Sequence, residues 1–118
     1  MSILEDKSYA FSIRIVKCSI FLQKEQKEFV LSKQVLRSGT AIGALIAEGK
    51  YAQSKSDFIN KLSIALKEAN ETKYWLRLLA DCGYLQSNIA SSLLEDNEHL
   101  IKMLASSIKI AKENNHVS

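Results

Sequence analysis

Lysine and arginine residues recur at helical spacings near the start of the chain, and their side chains are suited to binding phosphate groups. Lys7, Arg14, Lys17 and Lys24 follow one another at intervals of seven, three and seven residues, which places them on one stripe of a helix. Such cations bind nucleic acids without requiring a particular base sequence, because they displace counterions condensed on the phosphates. The candidate nucleic-acid contacts are Arg14, Lys17, Lys24, Lys33, Arg37, Lys50 and Lys55.

The charge distribution along the chain also indicates a polyanionic partner. The 118 residues carry a net charge of +3, but residues 7–77 hold 13 of the 16 lysines and arginines and only 6 of the 13 acidic residues, a balance of +7. Residues 78–118 hold 3 basic and 5 acidic residues, a balance of −2. A basic body of this kind favours nucleic-acid binding. An ordinary solvated surface is the alternative interpretation.

The histidines and acidic residues do not form a recognisable catalytic or metal-binding pattern. Asp96 and His99 are three residues apart, whereas a di-iron bundle needs two inward-facing motifs of that spacing and carboxylates from all four helices. The other histidine, His116, lies in a polar tail. No nucleophile-base set and no phosphate-loop motif is present. We therefore predict a non-enzymatic protein without a metal or cofactor.

Cysteine usage and hydropathy predict a cytoplasmic protein that does not contact a membrane. Cys18 and Cys82 lie far apart inside helical patterns, which favours two reduced thiols over a disulfide or a metal site. No apolar run approaches the roughly 18 residues needed to span a bilayer. Residues 1–6 are acidic, unlike the basic start of a secretory signal.

Apolar periodicity predicts the elements that position the basic residues. The chain has no proline and only four glycines, so long helices with few loops are favoured. Spacings of three and four residues predict helices near residues 6–26, 28–52, 56–82 and 88–113. Short connections make sequential helices antiparallel. We therefore predict an all-α fold, an antiparallel up-down-up-down four-helix bundle that forms a single domain over residues 1–118.

The first predicted helix carries two adjacent apolar stripes, which suits a helix that touches two neighbours. One stripe is Tyr9, Ile13, Val16 and Ile20, and the other is Phe11, Ile15, Cys18 and Leu22. The fourth helix is also broadly apolar, around a stripe formed by Leu94, Ile101, Leu104, Ile108 and Ala111. These faces exceed what one bundle seam needs, so we predict a homo-oligomer.

The second and third predicted helices differ in regularity. Gly39 and Gly43 each cost about 1 kcal/mol inside a helix, so a close approach by a neighbouring helix is expected to compensate for them. We predict one continuous helix there, with a break at the glycines as the alternative. Gly83 is placed to end the third helix. The seam of that helix consists of Phe58, Leu62, Ala65, Ala69, Thr72, Leu76 and Leu79.

Three glutamates and two aromatic residues interrupt or flank the apolar surfaces. Glu48, Glu68 and Glu71 are predicted to form ion pairs, since buried carboxylates need partners, with a ligand role as the alternative. Their candidate partners are Arg37, Lys67 and Arg77. Tyr74 and Trp75 are predicted to be core or interface anchors rather than platforms for base stacking.

The sequence resembles a bacterial family of four-helix-bundle proteins encoded in intervening sequences of 23S rRNA genes. The segments that carry the resemblance are LSKQVLRSGTAIGA at 31–44, IAEG at 46–49, SKSDFI at 54–59 and ALKEANETKYWL at 65–76. A more distant resemblance extends to accessory proteins of diversity-generating retroelements. The resemblance implies a ring-like homopentamer, and in the retroelement relatives a basic ring surface engages nucleic acid and a reverse transcriptase.

Taken together, these features predict an oligomeric protein that binds nucleic acid, with RNA favoured over DNA, through basic helix faces. A scaffold for another protein is the first alternative, and a metal- or carboxylate-dependent enzyme is a distant second.

Overall fold

The computed structural model describes residues 2–114, which form four helices and contain no strand. Their bounds are α1 Ile3–Lys24, α2 Leu31–Lys50, α3 Lys55–Asp81 and α4 Ser87–Asn114. The predicted all-α class is confirmed, and each predicted helix is present. The largest differences are at the starts of α1 and α2.

The helices pack as a closed four-membered ring when viewed along the bundle. α1 packs on α2, α2 on α3 and α3 on α4, while a lighter contact between α1 and α4 closes the ring. The bundle measures 52 × 21 × 21 Å, so the helices run nearly along one axis. Each helix packs on the next after a short connection, so sequential helices alternate in direction. We call the surface between the first and last helices the α1/α4 side and the opposite surface the α2/α3 side.

Helix α1 begins three residues earlier than the apolar pattern predicts because Ser2 caps it. The Ser2 hydroxyl accepts a hydrogen bond from the Glu5 N–H at 3.1 Å. Glu5 and Asp6 lie in the first turn, where negative charge stabilises the partial positive charge of a helix N-terminus. The acidic start of the chain is therefore part of a helix cap.

Helix α2 begins at Leu31 rather than near residue 28, because the preceding residues form a turn. Lys27 has a left-handed backbone with φ 54°, and the Glu28 carboxylate accepts hydrogen bonds from the N–H groups of Val30, Leu31 and Ser32 at 3.2, 2.9 and 2.7 Å. Partial desolvation raises the pKa of Glu28, but these donors outweigh it and hold the pKa below its ordinary value. Glu28 thus caps α2 from outside the helix.

The two glycines inside α2 allow close packing against α1, as predicted, and the helix is unbroken. A Cβ atom added to Gly39 would lie 2.8 Å from Ile15 Cγ2. One added to Gly43 would lie 3.1 Å from Ser12 Oγ and 3.3 Å from the Ser8 carbonyl oxygen. The cost of glycine in a helix is thus offset by the small separation of the two backbones.

The predicted ends of α3 are confirmed by its capping hydrogen bonds. At the start, the Ser54 hydroxyl accepts from the Asp57 N–H at 3.0 Å. At the end, Gly83 adopts φ 84° and donates to the Ala80 carbonyl at 3.1 Å, while Tyr84 donates to Leu79 at 2.9 Å. This is the paired C-terminal motif in which a left-handed glycine stops the helix.

The predicted seam of α3 lies in the core except for Phe58, which is only partly buried, whereas the predicted stripe of α4 needs correction. The buried α3 residues are Leu62, Ala65, Ala69, Thr72, Leu76 and Leu79. In α4 the predicted Leu94 and Ile101 are only partly buried, and the core position between them is occupied by Asn97. Asparagine was missed because a hydrophobic pattern does not include a polar residue.

Polar groups in the core form hydrogen bonds between helices. Asn97 Nδ2 donates to the Ala69 carbonyl at 2.9 Å, and the Ser38 and Thr72 hydroxyls lie 3.0 Å apart. Asn97 Oδ1 has no hydrogen-bond partner among residues 2–114. These bonds fix α3 relative to α4 and to α2, because a buried polar group is costly in any register that leaves it unpaired.

Candidate nucleic-acid interface

The stripe of α1 that contains Tyr9, Ile13, Val16 and Ile20 faces solvent. The exposed fractions of these residues are 70, 44, 40 and 49%, whereas the second stripe, which begins at Phe11, is buried. The expectation that both stripes contact neighbouring helices is therefore wrong for this one, because α2 and α4 both pack on the other face. We call these four residues the outer stripe.

A shallow groove continues the apolar surface from the outer stripe onto α2. Tyr9 lies beside small residues of α2, among them Thr40, Gly43, Ala44 and Ala47. Ala44 and Ala47 are exposed. Small side chains next to a protruding aromatic ring form a surface that another helix can approach closely.

The basic residues of α1 continue onto the α1/α4 side. Arg14 is half-buried there and forms an ion pair with Asp96 at 2.6 Å, with a longer hydrogen bond to the Ser92 carbonyl at 3.4 Å. Lys17 and Lys24 are exposed and have no ion-pair partner among residues 2–114. Arg14 therefore joins α1 to α4, while the two lysines are free to bind an anion.

A cleft of about 500 Å³ opens between α1 and α4 beside these cations. Its residues are Arg14, Lys17, Cys18, Phe21, Leu85, Gln86, Ile89 and Leu93. Leu85 and Leu93 are buried, while Phe21 and Ile89 are 39 and 44% exposed. Burial raises the pKa of the Cys18 thiol to about 11, despite the opposing effect of Arg14. Cys18 thus contributes a neutral thiol to the cleft.

The α2/α3 side carries a network of charged and aromatic groups around Arg37. The guanidinium lies 3.3 Å from a Glu68 oxygen and forms a shorter contact with Glu71, whose carboxylate also accepts from Trp75 Nε1 at 3.0 Å. The Trp75 hydrogen bond and then Arg37 lower the pKa of Glu71, and the hydrogen bond to Glu71 raises the pKa of Arg37. Tyr74 is exposed and meets Trp75 edge-on, with 5.1 Å between the centres of the two rings.

The structure identifies partners for the three glutamates. Glu68 and Glu71 pair with Arg37 as predicted, whereas Glu48 pairs with Lys61 at 3.2 Å. Arg37 was expected to pair with Glu48 or another carboxylate, and its partners are the two carboxylates of α3, while Lys61 was not among the candidate partners of Glu48.

The remaining candidate lysines lie apart from one another. Lys33 is exposed near the start of α2, close to the end of the bundle where α1 finishes at Lys24. Lys50 and Lys55 are exposed at the opposite end, where Lys50 lies 5.6 Å from the centre of the Tyr51 ring. The seven candidates therefore do not form one patch.

The two arginines also lie on opposite sides of the bundle, because Arg14 pairs with α4 and Arg37 with α3. Lys17 lines the cleft, and Lys24 follows it on the same stripe of α1, so these two lysines form the clearest cationic surface.

Sequence reasoning missed Phe21 as a member of the basic stripe. Arg14, Lys17, Phe21 and Lys24 are spaced by three, four and three residues, so the same periodicity that grouped the cations also includes the aromatic ring. The cleft itself has no signal in the sequence, because it depends on how lightly α4 contacts α1.

The acidic residue of the rejected metal motif has a structural partner. Asp96 binds Arg14, and His99 is exposed. Residues 2–114 contain no group of three or more histidine, cysteine, aspartate or glutamate side chains arranged to hold a metal ion. His116 lies outside the described residues. Within the described range no helix is long and apolar enough to cross a membrane.

The helix order and the exposed basic face of α1 define a small all-α bundle protein of the up-down-up-down class. The family model described as 23S rRNA-intervening sequence protein matches residues 2–106, so the chain belongs to that family. A crystal structure of a protein with unknown function from the S23 ribosomal protein family of Bacteroides thetaiotaomicron VPI-5482 is 55% identical. The match covers 91% of this chain and 99% of that chain, with a TM-score of 0.90. The comparison with curated proteins gives no significant match.

Proposed function

We propose that this protein is a non-enzymatic homo-oligomer that binds nucleic acid, with RNA as the expected ligand. The observation that carries the proposal is the surface of α1, where the outer stripe lies beside Lys17 and Lys24. One part of that surface favours association with other copies, and the other favours phosphate binding. The family description refers to 23S rRNA, which supports RNA as the first ligand to test.

Self-association is supported by the exposure of the outer stripe. Its four large apolar side chains form a continuous row, and such surface is stabilised when another molecule covers it. The adjacent small residues of α2 widen the apolar area. The family resemblance makes a pentamer the expected assembly, and five copies of a chain with net charge +3 would carry +15. Assembly would thus concentrate the positive potential.

Phosphate binding is supported by the exposed lysines that have no ion-pair partner among residues 2–114. Lys17, Lys24 and Lys33 lie on α1 and the start of α2, toward one end of the bundle. Their charges are available to release counterions from a nucleic acid. Arg14 and Arg37 are already neutralised by carboxylates, so we assign them a structural role as well.

A salt series with charge-reversed variants tests nucleic-acid binding. We expect the triple variant Lys17→Glu, Lys24→Glu, Lys33→Glu to lose retention of a labelled RNA at low salt. Each phosphate contact removed should reduce the slope of log affinity against log salt by about one. The matched control reverses three exposed lysines of α4, Lys102, Lys109 and Lys112, and thus changes the net charge equally. An equal loss of retention in both triple variants would assign the binding to net charge alone. Retention of RNA by the first triple variant at the wild-type level, or no retention by the wild type, would overturn the proposal.

Light scattering tests the assembly. The double variant Ile13→Asp, Ile20→Asp should yield monomers with unchanged helicity, because a desolvated carboxylate in an apolar contact is strongly unfavourable. Ile110→Asp changes another exposed isoleucine, on α4, and should leave the assembly intact. A monomeric wild type at micromolar concentration would contradict self-association.

A protein scaffold is the second candidate, favoured by the exposed aromatic and charged group on the α2/α3 side. Tyrosine, tryptophan and arginine are the residues most enriched at energetically dominant interface positions, and Tyr74, Trp75 and Arg37 lie together there. Reversal of the lysines would leave such an interface intact. Retention of a protein partner by the lysine triple variant, without RNA binding by the wild type, would favour the scaffold.

The proposal includes no catalytic step and no cofactor. It places the protein in the cytoplasm, since Cys18 and Cys82 are both free thiols and a reducing compartment maintains them.

A further inference from the structure

The cleft between α1 and α4 combines three features that a nucleobase requires. Its volume of about 500 Å³ lies within the usual range for small-ligand sites. Leu85, Leu93 and the neutral Cys18 thiol provide an apolar surface, while Phe21 and Ile89 stand half-exposed in the lining. Gln86 adds an amide that can donate to or accept from a polar base edge.

Cations lie on the same helical stripe as the aromatic ring. Lys17 precedes Phe21 by one turn and Lys24 follows it by three residues, so a positive charge stands on each side of the ring. The two lysines are seven residues apart, or roughly 10 Å along the helix axis. Arg14 extends the stripe, but its charge is offset by Asp96.

This pattern of an aromatic face between lysines matches the surfaces that bind single strands. Such surfaces follow the phosphates with cations and stack bases on aromatic rings. A base within a duplex cannot enter a cleft without leaving its stack, which costs free energy that a single strand largely avoids. The apolar interior also disfavours phosphate itself, so the part of a nucleic acid that fits inside is a base.

We propose that the cleft receives one unstacked base of a single-stranded nucleic acid against Phe21, while Lys17 and Lys24 bind the adjacent phosphates. This inference rests on the proposed nucleic-acid binding and adds a preference for single strands. Because Phe21 provides a face that every base can stack on, we expect little dependence on base sequence.

The test compares three ligands with the wild-type protein in its native assembly: a single-stranded RNA 12-mer, the same RNA as a duplex, and the same RNA with abasic sites. The intact single strand should bind about tenfold tighter than either of the others, as expected for one stacked base. Phe21→Leu retains apolar bulk without an aromatic face and should weaken binding of the intact strand by a similar factor. Phe21→Leu should also bind intact and abasic strands equally.

Two further variants distinguish the cleft from the rest of the surface. Ile89→Trp fills the cleft from the α4 side and should also remove the preference for the intact strand. Phe29→Ala removes an exposed aromatic ring from the loop between α1 and α2 and should change nothing. Circular dichroism of each variant checks that the helices are retained.

The outcomes separate this inference from the proposed function. Binding that is equal for single-stranded, duplex and abasic RNA would overturn the base site and leave the lysine interface standing. A single-strand preference that persists in Phe21→Leu and Ile89→Trp would place the base elsewhere and overturn the assignment to the cleft. Absence of binding by the wild type at low salt would overturn both.

Discussion

The two sides of the bundle each contain an arginine that bridges two helices, yet their surroundings differ. On the α2/α3 side, Arg37 meets two carboxylates, one of which also accepts from Trp75, and the Ser38 and Thr72 hydroxyls pair beneath. On the α1/α4 side, Arg14 meets one carboxylate beside an open cleft of about 500 Å³.

This difference indicates which side stabilises the fold and which is available for ligands. Polar groups on the α2/α3 side already have partners, so a ligand there would have to replace existing hydrogen bonds. The α1/α4 side leaves apolar walls and two lysines in contact with solvent, and a ligand would gain from covering them. The lighter helix contact is therefore the better candidate for function.

The largest expected contrast is in core packing. Leu76 is fully buried one turn after Thr72. Leu76→Ala should lower the free energy of unfolding by about 2–5 kcal/mol, because the cavity adds to the lost transfer energy. Ile89→Ala in the cleft should cost about 1 kcal/mol or less, since Ile89 is already half-exposed. Urea unfolding of both variants measures the contrast. Equal losses would show that the cleft is packed as tightly as the core.

The second contrast concerns the two thiols. A pKa raised from 9.0 to about 11 leaves the Cys18 thiolate about a hundredfold less abundant at neutral pH than for an ordinary thiol. Exposed Cys82 should therefore react with a thiol reagent in the native protein, and Cys18 only slowly until urea unfolds the chain. Peptide mapping of the labelled sites measures both rates. Rapid native labelling of Cys18 would mean that the cleft opens more widely than its structure indicates.

A smaller contrast is expected between the two arginines. Arg37→Met removes the cation between Glu68 and Glu71 and should cost about 1 kcal/mol, partly through repulsion between these carboxylates. Arg14→Met leaves only Asp96 unpaired, in a solvated position. It should lower the free energy of unfolding by about a few tenths of a kcal/mol. Thermal unfolding at low and high salt checks that the Arg37 effect is electrostatic, since salt screens charge interactions and should reduce it. A larger loss for Arg14 would reverse the assignment of the stabilising side.

The smallest expected effect is a pKa change on the α2/α3 side. The pKa of Glu71 is lowered in the folded protein, first by the Trp75 hydrogen bond and then by Arg37. This carboxylate therefore stabilises the fold at pH values above its unfolded pKa, and the contribution disappears as pH falls through the folded pKa. Trp75→Phe removes the donor, so the pKa of Glu71 should rise. The stabilisation from the Glu71 carboxylate should then begin to disappear at a higher pH. A carboxyl NMR titration checks this, and an unchanged Glu71 titration would mean that the positive charges of Arg37 and Lys67 lower its pKa without help from Trp75.

Much of the helical architecture could be predicted from local sequence signals. The buried residues of α3 keep their three-and-four spacing from Leu62 to Leu79, and Gly83 ends that helix where expected. The start of α2 could not be placed from periodicity, because the Glu28 carboxylate caps it from a turn that has no apolar pattern. Asn97 was missed for the opposite reason, since its place in the core depends on the Ala69 carbonyl of another helix.

The candidate site was predictable only in part. Residue types and spacings located the cations of α1, and the same spacing would have included Phe21. They did not show that Arg14 and Arg37 lie on opposite sides, since each pairs with a residue far along the chain, Asp96 and Glu68.

The sequence by itself determined four amphipathic helices, their direction and the basic character of α1, because helical periodicity and capping are local properties of the chain. Only the tertiary structure decided which stripe of α1 is buried and which is exposed. It also decided which cations have partners and where the cleft lies. The physical reason is that periodicity fixes a side chain's angle about its own helix axis, while burial and pairing depend on where the other helices stand around that axis.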